Sequence, residues 1–116
     1  MENNFKNFSE SIKIYLFEIE NFINSLSEFE SNSSLIKNIR KQTEKLSKLH
    51  KELSNSDIKN SKPCLKNIEI IADTLLNELK KLKCSDLFLN EKTDLTAKTY
   101  MIWEHTVNFI SSPDYI

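Results

Sequence analysis

The chain has 116 residues, of which 39% are hydrophobic and 28% charged, and it contains no glycine. Tight hairpins, phosphate-binding loops and nucleophile elbows all depend on glycine, so we expect neither a β architecture nor those catalytic motifs. The formal net charge of −1 provides no overall field that would attract nucleic acid. At this length we expect one domain, spanning residues 1–116.

The first predicted helix covers about residues 4–30 and carries the most regular apolar stripe of the chain. Its apolar residues are spaced alternately three and four apart, which is the period of one face of an α-helix. The stripe consists of Phe5, Phe8, Ile12, Tyr15, Ile19, Phe22, Leu26 and Phe29. The polar residues 31–34 then end this helix and offer N-caps for the next one.

The second predicted helix covers about residues 34–54, and a third begins near Pro63, because proline is favoured at the first helical position. Turn-forming residues between the two indicate a loop. One member of the second stripe, Gln42, is polar; the stripe is Leu35, Ile39, Gln42, Leu46, Leu49 and Leu53. The third stripe is Leu65, Ile68, Ala72, Leu75, Leu79 and Leu82.

Residues 86–110 allow two interpretations. Either they form one helix, or Asp86 caps a short turn and Thr93 or Asp94 caps a separate helix that ends before Pro113. In both cases the inner face is Leu95, Thr99, Ile102, Thr106 and Phe109. The sequence therefore predicts an all-α protein, an antiparallel bundle of four helices, or of five if this region is divided.

No residue pattern in the sequence indicates a catalytic or metal site. Zinc and di-metal sites need clustered ligands, whereas the cysteines and histidines here are scattered. We place Cys64 and Cys84 about 30 Å apart on the third helix, which is too far for a disulfide, and interpret each as an unreactive thiol. We therefore expect a non-enzymatic protein with no cofactor and no metal.

The sequence also lacks the features of membrane or exported proteins. No apolar segment approaches the roughly 18 residues that a spanning helix needs. The first residues have neither the basic nor the continuous apolar region of a secretory leader. We therefore expect a cytoplasmic protein that does not act at a membrane.

Two large apolar residues of the first helix are out of phase with its stripe. On a helical wheel, Ile14 and Phe17 fall on the opposite side, which they share with Glu10, Glu18 and Asn21. An apolar centre with a polar rim is typical of a protein-binding surface, and these five residues are our candidate site. The structural alternatives are that the first helix is central in the bundle or that the fourth helix covers this side.

A basic row on the second helix is a second candidate. Lys37, Lys41, Lys45 and Lys48 recur at helical spacing in a segment, residues 37–62, that carries a net charge of +5. The row could bind phosphate or an acidic partner, or it could be a solvated face beside the acidic first helix. No aromatic residue lies among the lysines to stack on bases, so we do not expect nucleic acid to be the partner.

The fourth helix is apolar over about half of its circumference, which is more than one buried stripe requires. We assign Trp103 to the core and place Tyr100 nearer the surface, since both residue types occur in cores and in binding sites. We interpret His105 as a solvated histidine on the polar side.

These patterns favour a non-catalytic protein-binding module. Its most specific form is a cytosolic inhibitor of the immunity or antitoxin type, which neutralises a partner such as a basic toxin domain by direct binding. An acidic face would steer it to a cationic site. The alternatives are a nucleic-acid-associated subunit that uses the basic row and a self-assembling bundle with a seam on the first or fourth helix. The oligomeric state is left open.

Overall fold

The computed structural model describes residues 2–29, 34–55 and 60–111, with side chains from residue 5 onward and, in the first segment, up to residue 26. The described residues form four α-helices and no strand, so the predicted all-α bundle is confirmed. The helices are α1 (Glu2–Phe29), α2 (Ser34–Ser54), α3 (Lys62–Lys81) and α4 (Asp86–Ser111).

Some predicted features lie outside the described residues. These are the polar segment after α1, part of the loop before α3, the chain end with Pro113, and the side chain of Phe29. Within the described part, residues 86–111 form one continuous helix, so the interpretation with five helices is wrong. Pro63 is the second residue of α3, and Cys84 lies in the short link between α3 and α4 rather than on α3.

The four helices form an antiparallel ring in which each helix packs against its neighbours in sequence and α1 closes the ring against α4. Ser9 near the start of α1 contacts His50 near the end of α2, and the Phe5 ring packs edge-on against Phe109 at 5.7 Å. The molecule measures 44 × 21 × 19 Å, and its long dimension matches the length of a helix such as α1 at about 1.5 Å per residue. Helices α2 and α4 consequently lie diagonally across the ring.

The predicted stripes of α1, α3 and α4 form the core. In α1 every described member of the stripe is buried, and Ile12, Ile19 and Leu26 have no exposed surface. All six predicted residues of α3 and all five of α4 are buried as well. Periodicity alone therefore identified the inward face of these three helices.

The stripe predicted for α2 is confirmed only in part, because Leu35, Gln42 and Leu49 are half-buried rather than buried. Thr43 is buried and Gln42 is only half-buried, while Ile36 replaces Leu35 in the core. The Thr43 hydroxyl donates to the carbonyl oxygen of Ile39 at 2.8 Å, which satisfies it inside its own helix. Gln42 has an amide that no such local bond satisfies completely, so its half-buried position leaves that group access to water.

One hydrogen bond in the core joins two helices. The Thr99 hydroxyl donates to the Leu95 carbonyl at 2.6 Å, so the Tyr15 hydroxyl must donate its own proton to the Thr99 oxygen, also at 2.6 Å. This bond links α1 to α4 at mid-bundle. Within the described part of the chain, no buried side-chain nitrogen or oxygen lacks a partner.

A matched pair of isoleucines on α1 tests this assignment of inside and outside. We expect Ile19→Ala to lower the free energy of unfolding by about 2–5 kcal/mol, because it leaves a cavity in the core. We expect Ile14→Ala to change it by less than about 0.5 kcal/mol, because Ile14 is exposed. Urea unfolding followed by far-UV circular dichroism measures both, and equal losses would contradict the packing.

Tyr15 predicts a loss of stability at alkaline pH. Burial raises the pKa of its phenol far above the usual value of about 10, and the bond to Thr99 offsets only part of that shift. The contribution of Tyr15 to the free energy of unfolding is therefore fully present below about pH 10. Above it the unfolded chain loses the Tyr15 proton that the folded chain keeps, so stability falls by up to about 1.4 kcal/mol per pH unit.

The free energy of unfolding of Tyr15→Phe should fall less steeply with pH than that of the wild type. Urea unfolding repeated between about pH 9 and pH 11, a range centred on the usual phenol pKa, measures this slope. Tyr100→Phe is the control, because it removes a phenol hydroxyl from a side chain that is 47% exposed and lies outside the core. Identical slopes for the wild type and Tyr15→Phe would show that Tyr15 is not buried as a neutral phenol.

Candidate functional site

The exposed apolar side chains of the molecule concentrate on α1 and α4. Ile14 is 57% exposed and Phe17 is 68% exposed, so no other described helix covers them. Large apolar side chains on α4 are exposed too, and only one such residue, Ile70, lies on α3. The α4 residues are Leu87, Leu89, Tyr100 and Met101.

A groove of about 550 Å³ lies between α1 and α4, and we call it the α1–α4 groove. Its floor is apolar and is made of the buried side chains Phe8, Tyr15, Ile102 and Phe109. The exposed side chains of Ile14 on α1 and Met101 on α4 stand at its edges. An apolar floor with exposed apolar edges can accept a side chain or a helix from another molecule.

Polar groups line the same groove. Lys98 of α4 contacts Glu18 of α1 at 2.5 Å and Asp94 at 2.9 Å. Hydrogen bonds to these two carboxylates, first Glu18 and then Asp94, raise the pKa of Lys98. The His105 ring also lines the groove, with its centroid 6.5 Å from that of Phe8. Glu18 therefore serves as a bridge between helices rather than as a free acid.

The five residues predicted as a site have different positions. Ile14 and Glu18 line the α1–α4 groove. Phe17, Glu10 and Asn21 are exposed on the outer side of α1, beyond the groove. Because Lys98 balances Glu18, the acidic rim around Ile14 and Phe17 is weaker than the sequence alone indicates.

A second groove, of about 620 Å³, lies between α3 and α4, and we call it the α3–α4 groove. It is lined by Leu76, Lys80, Leu89, Lys92, Thr93, Thr96, Ala97, Tyr100 and Met101. Met101 borders both grooves, so the outer side of α4 is a ridge between two apolar depressions. Our sequence analysis missed Met101 and Leu89, although the excess apolar circumference of α4 was the signal for them.

Trp103 and Tyr100 lie together beside the α3–α4 groove. Trp103 is half-buried and packs against the core, as predicted, and Tyr100 is 47% exposed. Their ring centroids are 5.9 Å apart. Trp103 thus lies next to Tyr100, which lines the groove.

His50 and Ser9 approach each other in the way that a catalytic dyad does, but their hydrogen bonds oppose that role. His50 Nε2 lies 3.0 Å from the Ser9 carbonyl oxygen and 3.3 Å from the Ser9 hydroxyl. A carbonyl oxygen only accepts, so Nε2 carries the proton and cannot take one from the hydroxyl. Ser54, whose hydroxyl is 3.4 Å from that of Ser9, completes a link between α1 and α2.

Both cysteines are reduced, and neither belongs to a disulfide. The Cys64 thiol is buried at the start of α3 and donates to the Leu49 carbonyl oxygen at 3.2 Å. Burial, with a smaller contribution from Glu52, raises the pKa of Cys64. Because the thiolate is the reactive form, this position favours a packing role.

The basic row of α2 is exposed along its whole length. Lys37, Lys41, Lys45 and Lys48 all face solvent. Glu44, which is four residues before Lys48, lies on the same side of the helix and dilutes the positive charge. The row is on the helix diagonally opposite α4 and borders neither apolar groove.

In the described part of the chain, no three side chains of the metal-binding types come together. None of the helices found there combines the length and hydropathy needed to cross a bilayer. Comparisons with protein families, with curated proteins and with solved structures find no significant match to this chain. The interpretation of the grooves therefore rests on their own geometry.

The hydrogen bond between His50 and the Ser9 carbonyl oxygen leads to a chemical prediction. We expect Ser9 to remain unmodified by a fluorophosphonate probe, because its hydroxyl has no base to activate it. Intact-mass spectrometry after incubation measures the adduct, and a serine hydrolase serves as the positive control. An adduct that disappears in Ser9→Ala would contradict the assignment and indicate a nucleophile.

Proposed function

We propose that the protein is a non-catalytic binding module that captures another protein on the face formed by α1 and α4. The observation that carries this proposal is the exposure of Ile14 and Phe17 beside a groove with an apolar floor. Met101 extends the same apolar area onto α4. Exposed apolar area that continues into a groove is characteristic of interaction sites.

The energy available from this face suits protein recognition. Complete burial of an isoleucine, phenylalanine or methionine side chain is favourable by about 1.5–3 kcal/mol each. Ile14, Phe17 and Met101 are more than half exposed and are held on regular helices, so little ordering is needed when a partner covers them. Methionine adapts its shape easily, which helps it fit an irregular partner surface.

The chemistry in the groove supports binding rather than catalysis. The charged groups Glu18 and Lys98 are engaged with each other, so neither is poised to transfer a proton. His105 is exposed and has an aromatic ring, Phe8, beside it. These groups can orient a partner through hydrogen bonds around the apolar centre.

The specific form that we propose is an inhibitor of the immunity or antitoxin kind. Such a protein needs a rigid, preformed surface that covers the working site of its target. Glu10 and Glu104 are exposed on α1 and α4 and would favour a target with a positive surface. A basic toxin domain is a target of this kind.

Capture from a lysate of the native host tests the proposal. The immobilised wild type should retain one protein in stoichiometric amount, which mass spectrometry identifies. The double variant Ile14→Ser with Phe17→Ser should retain it at least about 100-fold more weakly, because hot-spot residues contribute 2 kcal/mol or more. Ile70→Ser is the matched control, since it removes an equally exposed isoleucine on α3.

The activity of the captured protein then decides the inhibitory role. Addition of the wild type should abolish that activity, and addition of the double variant should not. Equal capture by all three proteins would contradict the α1–α4 site. Capture without loss of the captured protein's activity would contradict the inhibitor while leaving a binding module.

A further inference from the structure

We propose that the α3–α4 groove is a second recognition site, which binds an acidic amphipathic helix of a partner protein. This site goes beyond the proposed function, because it uses residues that contribute nothing to the face around Ile14 and Phe17, apart from the shared Met101.

The dimensions of the groove fit a helix of three turns. Along α4 it extends from Leu89 to Met101, a distance of about 18 Å at 1.5 Å per residue. The wall on α3 is formed by Leu76 and by the stem of Lys80. An amphipathic helix laid into such a groove would insert apolar residues at positions i, i+4 and i+7.

The charges at the groove select the partner. Lys80 of α3 and Lys92 of α4 line it from its two sides, and neither makes a salt bridge to any residue that the structure describes. In the α1–α4 groove, by contrast, the lysine is already neutralised by Glu18 and Asp94.

An acidic helix fits these charges better than a second copy of this chain does. The exposed outer side of α1 offers apolar residues, but its charge is mixed, with Lys13 beside Glu10, so it complements the lysines of the groove less well than a segment with carboxylates alone. The outer side of α2 is basic and lacks exposed large apolar residues. We therefore assign the groove to a segment with carboxylates beside its apolar stripe.

The chain carries its own reporter for this site. Trp103 is its only tryptophan, and the Tyr100 ring that contacts it lines the groove. A ligand without tryptophan or tyrosine that covers Tyr100 should change the Trp103 fluorescence. Binding is thus measurable on the unlabelled protein.

The probe is a synthetic helix of about 15 residues with leucine at i, i+4 and i+7 and glutamate on both flanks of the leucines. We expect saturable binding at low salt that weakens as salt is added. The same peptide with lysine for every glutamate should bind at least about tenfold more weakly, which corresponds to about 1.4 kcal/mol. Replacement of the leucines by serine should abolish binding.

Charge reversal in the protein completes the test. Lys80→Glu with Lys92→Glu should weaken the glutamate peptide at least about tenfold and strengthen the lysine peptide, because the charge pairs are exchanged. Lys81→Glu is the matched control: it makes the same change one residue along α3, outside the groove, and should alter affinity little. The variant with both Lys80→Glu and Lys92→Glu should still capture the partner that depends on Ile14 and Phe17.

Several results would overturn the proposal. These are no fluorescence change with the glutamate peptide, equal affinity for both peptides, and equal effects of the control and the double variant. Two further results would assign the groove to another occupant. One is concentration-dependent self-association that the peptide competes away, and the other is binding to anionic phosphatidylserine vesicles that displaces the peptide.

Discussion

A ring of four helices gives each helix two neighbours, and two neighbours cover only part of its circumference. A helix whose apolar arc matches the covered part is hidden, whereas a wider arc leaves apolar side chains in water. Helix α2 stays within this limit, and α3 exceeds it only at Ile70. Helices α1 and α4 exceed it on adjacent sides, with Ile14 and Phe17 on one and Tyr100 and Met101 on the other. This surplus is what defines the candidate surface.

The fold also separates charge across the molecule. The outer side of α2 is basic, and α2 lies diagonally opposite α4. With a net charge of only −1, the chain has little overall field, and the field of the basic row is local. Such a field orients an approaching macromolecule over about one Debye length, roughly 10 Å at 0.1 M salt. The apolar grooves and the basic row therefore lie on different sides of the molecule and do not form one site.

The sequence predicted the phase of α1, α3 and α4, and that of α2 only in part, but not the relations between helices. The outward position of Ile14 and Phe17 followed from their angle on the wheel, and so did the inward faces of α3 and α4. The sequence did not predict that Thr43, rather than Gln42, is the buried residue of α2. Which of the two is buried depends on how far each side chain can reach towards its own backbone or towards water. A single threonine hydroxyl in a buried position looks no different in a sequence from one on the surface.

Contacts between distant segments were beyond the reach of periodicity. The bond of Tyr15 to Thr99 and the bridge of Glu18 to Lys98 join residues 84 and 80 positions apart. Nothing in either helix alone indicates that α1 neighbours α4 at that register. The grooves were missed for the same reason, since a groove belongs to two helices and is visible only once they are paired.

Met101 joins the two halves of the candidate surface. Its side chain borders both grooves, so an occupant of one groove restricts the rotamers open to Met101 in the other. A ligand in the α1–α4 groove and a ligand in the α3–α4 groove would each contact Met101. The two grooves are therefore separate sites that share the side chain of Met101, and a change of its rotamer couples them.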